Sequence, residues 1–447
     1  MSAIIGMLDE TSGLKKQLAV VFSLSAPAML AQLSSIAMQY IDAAMVGSLG
    51  AGASAAIGVV SSSMWLLYGV SSACATGFSV QVAQCVGAGD TARSALITKQ
   101  SIFSVTAVSV VLAVVAAVMS FFLPSLLGAA AEIQKDASTY FFVFALSLPA
   151  VMLVSLFSSL LECSGNMKIP SLLNAILCAL DVAFNALCIF VLHWGVAGAA
   201  LGTFLSEIVV CALLFYFVRY KTPALQFSAK ARWMGDRECI SRALKIAVPM
   251  AADQIALCGA QIVSTGVVAP LGVVALAANS FSVTAEAFCY MPGYGIGAAA
   301  TTLVGQSAGA KKSALAKRYA WLSVLLGMSI MAVTGAIMYF IAPLVFAFLT
   351  PDLAVRSLGV KVLRIELFAE PLFGAYIVAS GALRGVGDTL MAGVMNLVSL
   401  WGVRITLSVV LSQKYGLTGV WIAMAVELCF RGILFLTRLA TQKWKKF

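Results

Sequence analysis

The sequence has few charged residues and a single histidine. Charged side chains make up 10% of its 447 residues, whereas a soluble domain carries about 25%. The lone histidine, His193, excludes catalytic schemes and metal sites that need several histidines. No GxSxG nucleophile motif and no GxxxxGK(S/T) phosphate loop occurs. These absences argue against a soluble enzyme and against a membrane-embedded one.

Ten cysteines are present, and none has the CxxC spacing of metal-binding or redox motifs. Most of them fall inside apolar stretches, where cysteine serves as a small buried residue. We therefore expect no disulfide framework, no metal site and no cofactor.

Long apolar segments take the place of the missing charge. The chain is 61% hydrophobic with a mean hydropathy of +1.00, and about 20 apolar residues suffice to cross a bilayer as a helix. Because every backbone polar group must be satisfied inside lipid, the segments are predicted to be helices. The predicted fold class is an all-α membrane protein with twelve transmembrane helices, at 18–47, 53–79, 98–123, 138–161, 170–192, 196–218, 242–268, 275–303, 319–343, 362–383, 390–412 and 416–440.

The second half of the sequence repeats the first with an offset of 222 residues. Since each repeat has an even number of segments, the copies enter the membrane from the same side, as parallel repeats related by a pseudo-two-fold axis. We predict a six-helix lobe at 1–220, a cytoplasmic linker at 221–241 and a second six-helix lobe at 242–447, with a substrate cleft between the halves. The identities include Pro27 and Pro249, Gln32 and Gln254, Pro149 and Pro371, and Gly165 and Gly387.

Positive charge is concentrated on one side of the predicted topology. Twenty-one lysine and arginine residues fall on the side of the termini and five on the other, so the positive-inside rule places both termini in the cytoplasm. The net charge of +10 is therefore a topology signal and does not indicate a nucleic-acid-binding surface. We expect a multi-pass protein of the plasma membrane that binds no nucleic acid and acts as a monomer.

Acidic side chains inside apolar helices are the first candidates for function, because they are costly to bury and usually face a cavity or a partner. Asp42 lies far along the first helix, and Asp181 and Asn185 share a face of the fifth helix at i,i+4 spacing. Tyr140 and Thr203 fall at a similar depth in the fourth and sixth helices. We predict that these five residues form one ion-coupling pocket. The alternative is that the two acids only bond neighbouring helices together.

The second half carries a different set of polar residues. Glu286 lies inside the eighth helix, just before Tyr290 and Met291, and is predicted to give a substrate site negative charge for organic cations. Tyr290, Met291 and Gln32 are assigned to the same predicted substrate site.

Other charged residues have structural interpretations. Asp253 and Glu370 are weaker functional candidates that lie nearer helix ends, where a snorkelling side chain is the alternative. Pro292, flanked by glycines, predicts an eighth helix that is bent or partly broken. Four further residues are expected to form interhelical ion pairs: Glu207, Arg404, Glu427 and Arg431.

Several short motifs, in their order and together with twelve predicted helices, resemble the multidrug and toxic compound extrusion (MATE) family. This family is part of a superfamily that also contains flippases of lipid-linked oligosaccharides. The resembling stretches are YID at 40–42, VGSLG at 46–50, VGAGD at 86–90, GVAGAALGT at 195–203, LVGQ at 303–306 and LRGVGDT at 383–389.

The resemblance implies a V-shaped pair of six-helix lobes that alternates access and exports organic cations or other amphiphiles in exchange for H⁺ or Na⁺. By the same resemblance Asp42 matches the main coupling acid of prokaryotic members, and Tyr140 and Thr203 match residues that complete its pocket. The order of Asp181 followed by Asn185 reverses the family's usual order.

The resemblance also bears on the second lobe. One branch of the family carries acids on the seventh and tenth helices, where this chain has Leu257 and Phe373, so we expect coupling through the first lobe. A flippase for a lipid-linked precursor is the leading alternative, although mainly acidic intramembrane charges do not suit a phosphate-bearing substrate. A membrane-embedded enzyme and a channel are further alternatives.

Overall fold

The structure is a computed structural model that describes residues 13–227 and 236–441. Part of the predicted linker lies outside the described residues, as do five of the positive charges used to orient the chain: Lys230, Arg232, Lys443, Lys445 and Lys446. Within the described residues the regular structure is entirely helical.

Twelve helical segments follow one another in the order expected from the sequence. A single extra turn at Leu123–Leu126 follows the third of them. The segments are α1 Leu14–Gly47, α2 Ala51–Gly87, α3 Thr91–Met119, α4 Ala131–Cys163, α5 Lys168–Val191, α6 Gly195–Lys221, α7 Arg237–Leu271, α8 Val273–Gly309, α9 Ser313–Leu349, α10a Leu353–Glu366 with α10b Glu370–Gly385, α11 Thr389–Tyr415 and α12 Leu417–Ala440.

Eleven of these segments are long and apolar enough to cross a membrane as single helices. Their outer surfaces suit lipid, since large side chains such as Phe340 and Phe348 are 77% and 92% exposed. The protein is a multi-pass membrane protein, in agreement with the predicted fold class.

The tenth segment is broken. A turn at residues 367–369 separates α10a from α10b, so neither half is long enough to span a bilayer by itself. The sequence predicted an unbroken segment at 362–383, and this was wrong. The predicted break at Pro292 was also wrong, because α8 is continuous from Val273 to Gly309, while a bend at this proline stays a prediction.

Both halves of the chain pack their helices in the same pattern. In the first half α4 packs against α2, α3 and α6, and α5 packs against α6. In the second half α10b packs against α8, α9 and α12, and α11 packs against α12. The helices that correspond under the 222-residue offset therefore have corresponding neighbours.

The turns between helices are repeated as well. Four pairs of corresponding positions have a positive φ, which glycine adopts without steric cost. One member of the pair between the second and third helices of each repeat is a lysine, so the turn is kept there even without glycine. The pairs are Gly50 and Gly272, Gly89 and Lys311, Gly165 and Gly387, and, after a one-residue slip, Gly195 and Gly416.

Contacts divide the chain into two compact units. One comprises Ser34–Ala251, and the other comprises the chain up to Leu33 together with the chain from Ala252 onward. Each division falls inside the first helix of a repeat, α1 or α7. The lobes predicted at 1–220 and 242–447 describe the sequence repeat and stay a prediction.

Within the second unit, α8 and α10b approach each other through small residues. A Cβ atom at Gly381 would overlap the carbonyl oxygen of Gly297 and lie 2.9 Å from its Cα atom. The Thr301 hydroxyl on α8 also donates a 2.8 Å hydrogen bond to the carbonyl oxygen of Gly381. Small residues of this kind let helix backbones come together in membranes.

We expect Gly381→Ala to destabilise the protein, because the added methyl group has no space between α8 and α10b. Overpacking of this kind costs about 1–3 kcal/mol. The matched control is Gly266→Ala on α7, where an added Cβ has no heavy atom within 4 Å, so stability should stay level or rise by up to about 1 kcal/mol. Thermal unfolding in detergent measures both. Equal melting temperatures would contradict the close packing.

Candidate functional site

Two acids and an amide converge in the first half of the chain. Asp42 comes from α1, and Asp181 and Asn185 come from successive turns of α5. The amide nitrogen of Asn185 donates to the Asp42 carboxyl at 3.1 Å and to the Asp181 carboxyl at 3.0 Å. Asp181 is fully buried and Asn185 is 2% exposed. A single amide therefore connects both carboxyl groups.

The helices hold this cluster by close packing. Gly202 on α6 faces Asn185: a Cβ atom at this glycine would lie 2.7 Å from the Asn185 backbone nitrogen and would overlap its side-chain oxygen. The hydroxyl of Ser206, one turn further along α6, lies 3.4 Å from the Asp181 carboxyl. The glycine thus brings α6 close enough to α5 for a serine to reach the acid.

The other two predicted members lie close by. Thr203 is near enough to interact with the Asp181 carboxyl, and its hydroxyl donates to the Ala199 carbonyl at 3.2 Å. Tyr140 on α4 packs against apolar residues of α1, α5 and α6 and is close to both Asp42 and Asp181. The structure therefore brings all five predicted residues into one neighbourhood, while their role in ion coupling stays a prediction.

Two polar neighbours of this cluster were not assigned to it from the sequence. Ser206 was missed, and Glu207 was expected to form an ion pair. Glu207 is 7% exposed, lies near Asp181, and makes no ion pair with any described residue. Its i,i+4 spacing from Thr203 on α6 was the signal that could have placed it on the same face.

A cavity of about 150 Å³ lies in the second half of the chain. Its walls come from α7, α8, α10b, α11 and α12. The lining residues are Leu257, Ala260, Gln261, Val283, Glu286, Tyr290, Tyr294, Phe373, Tyr376, Leu400, Arg404, Met424, Leu428 and Arg431.

Aromatic rings form a continuous wall of this cavity. The Phe373 ring stacks on that of Tyr376 with an interplanar angle of 3°, and its centroid lies 5.5 Å from that of Tyr290. Tyr294 makes an edge contact with Tyr290 at 6.0 Å. Such a wall suits flat, amphiphilic molecules.

The charges of the cavity are mixed. Glu286 is 2% exposed. The guanidinium group of Arg404 lies 2.9 Å from the thioether sulfur of Met424. No acid of the described residues lies within ion-pair distance of Arg404. The cavity thus offers one carboxyl group and one guanidinium group that are not paired with each other.

The second arginine of the cavity is neutralised within its own helix. Arg431 contacts the Glu427 carboxylate at 2.6 and 2.7 Å, one turn earlier on α12, and lies over the Tyr376 ring at 4.6 Å. The Ser399 hydroxyl from α11 donates to the same carboxylate. The prediction of interhelical ion pairs was therefore wrong. Among the described residues, Glu207, Arg404, Glu427 and Arg431 form a single ion pair, and both of its members lie on α12.

The predicted substrate residues have different outcomes, and Asp253 lies in a contact between helices. Glu286 and Tyr290 line the cavity, whereas Gln32 and Met291 are not among its lining residues. Asp253 on α7 accepts a 2.8 Å hydrogen bond from the Asn396 amide on α11, which is a bond between helices.

The sequence matches a known family twice. The MatE family model aligns with residues 27–187 and, a second time, with residues 249–410. The chain belongs to the MatE family. The two matches begin 222 residues apart, so each half of this MATE protein is a copy of the family's unit.

Known MATE proteins match over nearly the whole chain. A probable multidrug resistance protein NorM from Thermotoga maritima is 25% identical, in an alignment that covers 98% of this chain and 95% of that protein. The human multidrug and toxin extrusion protein 1 is 24% identical, with 97% and 76% covered. A MOP superfamily transporter from Pyrococcus furiosus has the same fold, with a TM-score of 0.92 at 18% identity and 99% of both chains covered.

We expect the buried ion pair of this MATE protein to be sensitive to the loss of one partner. Arg431→Met leaves Glu427 charged and buried, which costs about 3–5 kcal/mol, whereas Glu427→Met combined with Arg431→Met should be close to neutral. The control is Arg242→Met, which breaks an exposed pair with Glu238 and should cost at most about 1 kcal/mol. Thermal unfolding measures all three. A double variant less stable than the Arg431 variant would contradict the interpretation.

Proposed function

We propose that this MATE protein is a secondary active antiporter that exports organic cations and amphiphilic drugs in exchange for H⁺ or Na⁺ by alternating access. The observation that carries the proposal is the convergence of Asp42 and Asp181 on the single amide of Asn185. On this proposal the protein catalyses no reaction and needs no cofactor other than the coupling ion.

The coupling chemistry follows from repulsion between the two acids. Two carboxylates held by one amide repel each other in a poorly hydrated site, and a proton or a sodium ion removes that repulsion. Tyr140 lies near both acids, and Thr203 lies near Asp181. The cluster is therefore suited to exchange one positive charge with water.

Loading the site changes a contact between helices. Asp42 belongs to α1 and Asp181 to α5, so adding a charge alters the bonds that hold α1 against α5 through Asn185. An ion can drive transport only if it binds one conformation more tightly than the other. We assign that difference in affinity to this pair of acids.

The cavity supplies a binding surface for the substrate. The aromatic wall accommodates flat apolar groups, and Glu286 attracts a positively charged group. We propose that the protein works as a monomer in the plasma membrane, with both termini in the cytoplasm, as the distribution of positive charge favours.

A flippase of a lipid-linked precursor is the second candidate. The specific observation in its favour is Arg404, whose guanidinium group lines the cavity without an acid within ion-pair distance in the described chain. Such a group suits a phosphate or carboxylate. The acids of both halves favour cation export as the first choice.

We expect Asp42→Asn to abolish the coupling of transport to an ion gradient. The test uses purified protein in liposomes with a fluorescent organic cation, and H⁺ and Na⁺ gradients are imposed separately. Without coupling the imposed gradient does no work on the organic cation, so its accumulation ratio should fall to the value measured without a gradient.

The matched control is Asp136→Asn, which removes an exposed acid on α4 and should transport as the unchanged protein does. A response to one of the two gradients names the coupling ion. Gradient-independent movement that is identical in all three proteins would overturn ion-coupled antiport and favour the flippase.

We further expect the two charges of the cavity to have opposite effects on affinity for a quaternary ammonium compound. Glu286→Gln removes a charge-assisted contact worth about 1.5–3 kcal/mol, so its Kd should rise about 10- to 100-fold. Arg404→Gln removes a repulsive charge, so its Kd should fall. Tryptophan fluorescence or calorimetry measures binding without transport. A Kd that is unchanged in both variants would show that the cation does not bind in this cavity.

A further inference from the structure

The break in the tenth helix is flanked by two buried glutamates. Glu366 is the last residue of α10a and Glu370 is the first residue of α10b. Both are fully buried, and none of their four carboxyl oxygens has a hydrogen-bond partner among the described residues. Glu370 is therefore not a snorkelling acid at the end of an unbroken helix, which was the sequence-based alternative.

The neighbouring helices bring no positive charge that pairs with these acids. From α8 come the Glu286 carboxyl and the Cys289 thiol, and from α12 comes the Cys429 thiol. Arg404 of α11 is close enough to influence Glu366, but no ion pair joins it to either acid within the described chain.

The ninth helix, α9, also lies beside the break, where it contributes backbone atoms and the phenol ring of Tyr339. Gly335 lies beside Glu370, since a Cβ atom there would be 3.3 Å from its side chain. Tyr339 packs against Phe368 of the turn and lies beneath the guanidinium group of Arg364. Arg364 donates to the Tyr339 carbonyl at 3.1 Å, so this arginine is engaged away from the glutamates.

The first repeat shows that acids are not needed at these places for the fold. The residues that correspond to Glu286, Glu366 and Glu370 are apolar. They are Met64, Phe144 and Leu148, which all belong to one hydrophobic cluster of α2, α3 and α4. Three glutamates of the second repeat thus replace three members of a hydrophobic cluster, although α4 is continuous and α10 is not.

Neutral carboxyl groups are the low-cost state of Glu366 and Glu370. An ionised carboxylate buried without a partner is far more costly than a protonated one, and the group takes up a proton instead. Two or three like charges close together add repulsion to this cost. With no paired cation on the surrounding helices, protons are the available counter-charge.

The two glutamates occupy opposite helix ends. Glu366 stands at the carboxyl end of α10a, where the helix dipole disfavours a negative charge, and Glu370 stands at the amino end of α10b, where the dipole favours one. The two carboxyl groups therefore stand in opposite helix-dipole fields.

We propose that Glu366 and Glu370 form a proton-binding site at the break of the tenth helix; the site is filled in this conformation and releases a proton when the break opens to water. The site is separate from the Asp42 cluster, and its occupancy does not depend on antiport. The proposed cargo is the proton and not a metal ion, because no set of three or more acidic, histidine or cysteine ligands suited to a metal ion occurs within the described residues.

Infrared spectroscopy of the purified protein tests the proposal directly, because protonated and ionised carboxyl groups absorb at different frequencies. At neutral pH we expect a protonated-carboxyl band that persists in Asp42→Asn and shrinks in Glu366→Gln and in Glu370→Gln. The band should be smallest in the double variant. The control is Glu132→Gln, which removes an exposed acid of α4 and should leave the band unchanged.

Thermal unfolding at acidic, neutral and alkaline pH provides a second readout. Stability should fall as the pH rises, because each proton lost leaves an unpaired buried charge. Glutamine imitates the protonated acid, so the Glu366→Gln, Glu370→Gln double variant should fold normally and lose part of this pH dependence. Asp42→Asn should keep it.

Either of two results would overturn the proposal. One is a protonated-carboxyl band that is the same in the unchanged protein and in the double variant. The other is a melting temperature that rises with Na⁺ in the unchanged protein but not in the double variant, which would assign these carboxylates to a metal ion. Failure of antiport in liposomes would leave both measurements intact, so the two proposals can fail separately.

Discussion

A carboxyl group inside a membrane protein must be hydrogen-bonded, paired with a positive charge or protonated, because an isolated negative charge is too costly in hydrocarbon. The acids of this chain satisfy this constraint in different ways. Asp253 takes an amide hydrogen bond from a neighbouring helix, and Glu427 takes a guanidinium group. Asp42 and Asp181 share one amide. That last arrangement leaves the two acids under-compensated, which suits exchange of an ion.

The repeat separates what the fold needs from what the function needs. Packing partners and turn conformations recur in both halves, so they belong to the scaffold. The acids do not recur: Ser264 and Val403 stand where the first half has Asp42 and Asp181. Two copies of one helical unit therefore carry different polar sites, and on the proposed function this difference lets the two halves bind different ligands.

The sequence was sufficient for the features that depend on spacing. Helix length, the repeat and the i,i+4 placement of Asp181 and Asn185 predicted the fold and the convergence of the first site. Residues that act through helix packing were harder to find. Ser206 reaches Asp181 because Gly202 brings α6 against α5, and no property of an isolated serine predicts that approach.

The broken tenth helix shows that a proline alone does not decide whether a helix is interrupted. Pro149 and Pro371 correspond in the two repeats, yet α4 continues through Pro149 while Pro371 lies in the first turn of α10b. Proline removes one backbone hydrogen bond in both cases, so the difference must come from its surroundings. Apolar Phe144 and Leu148 pack into a core beside the first proline, whereas acids precede the second. An apolar core holds a kinked helix together, but buried carboxyl groups gain nothing from that packing, and the chain there divides into two helices.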